Sequence, residues 1–141
     1  MNITDISPEK IMAYLNTTYR VLDKPNIDFT IGNLSKGLGE FCVKHNCDSA
    51  AFITAYNPYG KVLEDKDNID AQDFLENKLI LKSIPFIKGI SLDTNGLWPD
   101  ERGILALGLS LIDARSIASE FKQDALVWVP KDSIPQLILL R

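Results

Sequence analysis

The side chains best equipped to meet a ligand are Thr54, Tyr56 and Asn57, where the apolar run Ala50-Ala51-Phe52-Ile53 gives way to polar groups and an Asn-Pro turn. Asn68 follows on the next element, and Trp98 and Glu101 lie in the segment Gly96-Leu97-Trp98-Pro99-Asp100-Glu101. Thr54 supplies a hydroxyl, Asn57 and Asn68 amides that donate and accept, Trp98 a stacking face, and Glu101 a charge. Such a set suits the orientation of a small polar or aromatic ligand, for example a nucleobase or a sugar. A plainer use is open to the same residues. The two amides can satisfy loop backbone groups, and Trp98 can fill a core gap while Pro99 stiffens the turn.

Other chemistries find less support. Cys42, His45 and Cys47 are side chains that zinc prefers, but on a helix Cys42 and His45 share a face that Cys47 leaves, and no fourth ligand follows at a recognisable spacing. No metal site and no cofactor are expected. Gly32-Asn33-Leu34-Ser35-Lys36-Gly37-Leu38-Gly39 places Leu38-Gly39 where a phosphate loop needs Lys and a hydroxyl, so it reads as a loop entering a helix. His45 is the only histidine and no Gly-x-Ser-x-Gly elbow occurs, which disfavours covalent hydrolysis. Carboxylate acid–base chemistry needs only Asp or Glu with a shifted pKa, so the residues leave open whether a reaction is catalysed.

The elements that must position these groups alternate along the chain. Ser7-Pro8-Glu9 reads as a helix start, running to about Asn16. Residues 19–22 and 27–31 read as two strands around a turn with Pro25, and Ser35 as the cap of a helix from Lys36 to about His45. Residues 50–56 form a buried strand, whose end is a common location for ligand sites. Asp65 is placed to cap a helix to about Lys82, with Ala71, Phe74, Leu75 and Leu79 as its inward stripe. Strands follow at 86–92 and 104–109, separated by a loop over 93–103. Ser110 caps a helix with the stripe Ala114, Ile117, Ala118 and Phe121, and strands 125–129 and 134–140 close a terminal hairpin whose apolar last strand should be buried. Trp128 reads as core. The expectation is a single α+β domain over 1–141, with a mixed sheet of six or seven strands covered by about four helices, since helical crossovers would make some neighbours parallel.

Composition sets the outer limits. A chain of 141 residues with 45% hydrophobic and 24% charged residues fits one soluble domain. Its 15 basic and 19 acidic residues leave a net charge of −4, which argues against general nucleic-acid binding. The N-terminal stretch Met1–Pro8 shows no secretory pattern, and no apolar run approaches the ~20 residues that span a bilayer. Two cysteines make no disulfide framework, so a cytoplasmic protein is expected. Small size, acidity and the thin catalytic inventory also fit a second class, a non-enzymatic interaction module such as an inhibitor, immunity or regulatory protein with a protein partner.

Phe52-Ile53-Thr54-Ala55-Tyr56-Asn57-Pro58, Asn68, Gly96-Leu97-Trp98-Pro99-Asp100-Glu101 and the tail Phe121-Lys122-Gln123-Asp124-Ala125-Leu126-Val127-Trp128 together resemble a small bacterial family, the domain of unknown function 3293. The resemblance runs from about Tyr19 to the C-terminus. It implies a stand-alone bacterial cytoplasmic domain with no assigned activity. The chain departs from the family pattern at two places, with Gln123-Asp124 where the family usually has Gln-Asn, and Asp100-Glu101-Arg102-Gly103 where it typically has Glu, one residue and Ser. Both changes count against a role there that needs an uncharged amide or a hydroxyl.

Overall fold

Serine side chains start the helices at three of the expected places. Ser7 Oγ accepts the Lys10 N–H at 3.2 Å, Ser35 Oγ the Leu38 N–H at 3.2 Å, and Ser110 Oγ the Asp113 N–H at 3.1 Å. Each bond satisfies a first-turn donor that the helix itself leaves without a partner. In the computed structural model, which describes residues 4–141, these helices are α1 (Pro8–Leu15), α2 (Lys36–Lys44) and α4 (Leu111–Glu120). The longest, α3 (Asp65–Leu81), follows Glu64 and has no side-chain cap, so Asp65 lies in its first turn and not at the cap. The strands are β1 (Thr17–Val21), β2 (Ile27–Phe29), β3 (Ala50–Ile53), β4 (Phe86–Asp93), β5 (Glu101–Leu107), β6 (Ala125–Val129) and β7 (Gln136–Leu139). Met1, Asn2 and Ile3, where the leader reading begins, lie outside the described residues.

The chain is α+β as expected, with four helices and one seven-stranded sheet among the described residues, in the order β2-β1-β4-β5-β3-β6-β7. Every pairing in it is antiparallel, so the sheet is not mixed. The reason lies in the crossovers. The unit β3–α3–β4 leaves one slot between its strands, and β5 fills it; β5–α4–β6 leaves another, filled by β3. Strands joined through these helices run the same way but never touch.

Side-chain alternation divides the core between two faces. Phe52, Leu105 and Val127 face α2, with Leu38, Phe41 and Cys42 packed on them. Ile53, Ile104 and Leu126 face α3 and α4, meeting Leu75, Leu79, Ala114 and Ile117, while Trp128 and Phe121 pack partly buried against that layer. On the first face the Phe52 ring lies across the cross-strand pair Gly89 and Gly103, flanked by Tyr19 at 5.2 Å and Phe29 at 5.9 Å between centroids.

Several element edges differ from expectation. β3 ends at Ile53, so residues 54–56 leave the sheet, and β5 begins at Glu101, which stands on a strand and not in a loop. β7 is an edge strand and only half-buried, because it pairs with β6 alone. The inward stripe of α3 is the largest correction. Phe74 is 68% exposed and meets only the edge of the helical layer at Phe121, while Asn68, Gln72 and Glu76 are buried with Leu75 and Leu79. A polar stripe belongs there because the backbone leaving β3 needs hydrogen-bond partners. Gln72 Oε1 accepts the Ala55 N–H at 2.9 Å, and its amide reaches Glu76 Oε2 at 3.4 Å. Gln72→Leu would preserve bulk but leave the buried Ala55 N–H without its acceptor, and we expect a loss of about 1–2 kcal/mol in urea unfolding. An unchanged midpoint would contradict that role.

Candidate functional site

Beyond Ile53 the chain is held by side chains and not by the sheet ladder. Thr54 Oγ1 donates to the Arg102 carbonyl at 2.6 Å and accepts the Tyr56 N–H at 3.1 Å, closing the bend. Asn57 sits in the left-handed region (φ 47°), where Asn is tolerated. Asn68 Oδ1 accepts the Asn57 N–H, and Asn68 Nδ2 donates to Asn57 Oδ1, both at 2.9 Å. Asn57 Oδ1 also accepts the Leu63 N–H at 3.0 Å, which leaves Asn57 Nδ2 to reach Glu101 Oε2 at 3.1 Å. The plainer use of these amides therefore accounts for two of the four bonds, a third joins the amides to each other, and the fourth points elsewhere, at Glu101.

That bond lies at the edge of a cavity of about 410 Å³ between α1 and the sheet. Tyr19, Phe52, Val127 and Leu137 line its sheet side, and Ala13 and Tyr14 its α1 side. Thr54, Tyr56, Asn57, Trp98 and Glu101 also line it. Asn68 does not; it is buried behind Asn57 and fixes that side chain's orientation. Trp98 is 59% exposed, so it fills no core gap. Asp93 holds its loop by accepting the Leu97 and Trp98 N–H groups on Oδ2 at 2.7 and 3.0 Å.

Electrostatics distinguish the two ends of this cavity. Burial raises the Glu101 pKa above the usual carboxylate range, against the opposing pull of the Asn57 amide and the more distant Lys10 charge. Burial also raises the phenols of Tyr14 and Tyr19 well above their ordinary value, so both rings stay neutral donors. At the other end the buried Asp124 carboxylate is ion-paired with Lys10 Nζ and accepts Arg141 Nε at 2.6 Å, while the Arg141 guanidinium stacks on Tyr59 at 4.2 Å. Gln123 Nε2 donates to the Tyr56 carbonyl at 3.1 Å and ties this corner to the bend after β3.

Lys10, Tyr14 and Asp124 escape a reading by motif. α1 is recognisable from Ser7-Pro8-Glu9, but it has no buried residue and its partner face depends on a sheet order that local pattern does not encode. Asp124 stands in the quoted tail as a departure, and its two cations come from opposite ends of the chain. The Lys10–Asp124 pair clasps α1 over the cavity. Lys10→Met should speed amide exchange across residues 9–15 about fivefold, corresponding to ~1 kcal/mol of local stability, with the sheet amides unaffected. Equal change throughout the protein would contradict a local clasp.

The other sequence candidates have structural settings. Cys42 is buried in the α2 layer, its thiol pushed up to about 12 by burial and by Cys47, and His45 packs on Phe41 at 4.2 Å. Among the described residues, no group of three or more His, Cys, Asp or Glu side chains is placed to hold a metal. No helix among them is long and apolar enough to cross a membrane.

A family model described as "Protein of unknown function (DUF3293)" matches residues 53–126, just over half of the chain, and the chain belongs to that family. The matched span holds the polar bend, α3, Trp98, Glu101 and Asp124, whereas α1, β1, β2 and β7 lie outside it. No curated protein and no solved structure matches the chain.

Proposed function

We propose that this DUF3293 member is a small-ligand-binding domain, and that Thr54, Tyr56, Asn57, Trp98 and Glu101 receive the ligand, with Asn68 positioning Asn57. One observation supports this above the others: residues from the bend after β3, from the start of β5 and from α1 border a single cavity of about 410 Å³. That volume is within the range of small-molecule sites, and apolar walls with a few convergent polar groups are their usual make-up. Aromatic rings of Tyr14, Tyr19, Phe52 and Tyr56 suit a flat ligand body, and the exposed Trp98 is placed to cover it at the mouth.

The test is ligand-observed NMR with a panel of aromatic fragments, run on the wild type, Glu101→Ala and the cavity-filling variant Ala13→Phe. The reading expects fragments that bind the wild type and lose at least tenfold in affinity in Ala13→Phe, some of them also in Glu101→Ala, with folded spectra retained. Equal binding by all three proteins would place the ligand elsewhere or nowhere.

A further inference from the structure

We infer that the cavity selects a cation: an aromatic or apolar molecule carrying a protonated amine or amidine, which pairs with Glu101. The inference rests on the cavity being a ligand site and adds the chemical class of the ligand.

The charges around Glu101 lead to it. Its carboxylate accepts a hydrogen bond from a neutral amide, Asn57 Nδ2, at 3.1 Å. Lys10 is the cation whose charge it feels, but Lys10 Nζ is already paired with Asp124. A carboxylate in this position, walled by rings, gains most from a ligand that brings its own positive charge. The rings favour the same occupant, since the faces of Tyr14, Tyr19 and Tyr56 attract cations. An anionic ligand would face Glu101 and Asp93, with Asp124 already paired to Lys10 and Arg141, and a neutral one would leave Glu101 uncompensated.

The pH dependence follows from the groups that face Glu101. These are Glu9, Lys10 and Tyr14 from α1, Tyr19 from β1, Tyr56 and Asn57 from the bend, Asp93 from β4, and Asp124 before β6, which line the cavity with it. None is a histidine, and Glu101 is the carboxylate among them whose pKa burial raises. A protonated alkylamine keeps its charge up to about pH 10. Affinity for it should therefore rise with pH as Glu101 ionises, and binding should release a proton.

Three indoles of matched shape make the experiment: tryptamine (cation), tryptophol (neutral) and indole-3-propionate (anion), titrated calorimetrically into wild type and Glu101→Gln. The expected order in the wild type is tryptamine at least tenfold tighter than tryptophol, with indole-3-propionate weakest. In Glu101→Gln the preference for tryptamine should shrink to within about twofold while tryptophol is unchanged. Tryptophol or indole-3-propionate matching tryptamine in the wild type would overturn the cation class yet leave the cavity a ligand site. A tryptamine preference that survives in Glu101→Gln would remove Glu101 as its cause. Failure of all three to bind at millimolar concentration would overturn both readings.

Discussion

Glu101→Gln is expected to stabilise the protein at neutral pH while lowering its affinity for an amine ligand at least about fivefold. The two effects share one origin. Burial raises the Glu101 pKa in the folded protein above its unfolded value. The folded state then holds the proton more tightly, so the stability linked to this group is complete below the unfolded pKa and is lost as pH rises through the folded one. At pH 7 the wild type carries the cost of a buried negative charge, and glutamine does not. Its carbonyl can still accept from Asn57 Nδ2, so the local bond survives. Melting curves should show the variant above wild type at pH 7, with the gap closing on acidification. A variant melting below wild type at pH 7 would mean that Glu101 has a structural partner of greater weight. Stability sacrificed at one side chain is a common mark of a residue kept for binding.

Gly89→Ala should destabilise the protein by about 3 kcal/mol. A Cβ there would lie 2.6 Å from the Phe52 ring and 2.8 Å from the Arg20 carbonyl oxygen. The ring could yield, but the carbonyl belongs to the β1–β4 pairing and moves only if the sheet does. Gly103→Ala makes a useful contrast, since its closest approaches, 2.5 and 2.7 Å, are both to Phe52. Shortening that ring in Gly103→Ala/Phe52→Leu should therefore recover about 1 kcal/mol relative to additivity, and Gly89→Ala/Phe52→Leu should recover less. Strict additivity in both double variants would show that Phe52 is not what the two glycines accommodate.

The local signals for these elements were strong where one residue decides. Ser7, Ser35 and Ser110 each cap the helix their position announces. Apolar alternation located the strands, but which strands become neighbours depends on how crossovers fill one another's gaps. That is why β3 and β5 interleave and no parallel pair forms. α3 misleads for a related reason. Hydrophobic spacing assigns Phe74 to the core, whereas the helix lies against a backbone bend whose N–H groups require Asn68 and Gln72. Thr54 and Asn57 are legible as polar groups at the end of an apolar strand, and Glu101 as a charge in the Trp98 segment. Lys10, Tyr14 and Asp124 are not, because their meeting is a product of the whole topology.

Amide chemical-shift mapping with a bound aromatic fragment tests the central claim most directly. The largest shifts should fall on α1, on residues 52–57, on the Trp98 loop with Glu101, and on 123–127, the segments that border the cavity. Shifts confined to the outer faces of α3 and α4, around Phe74 and Leu81, would contradict it.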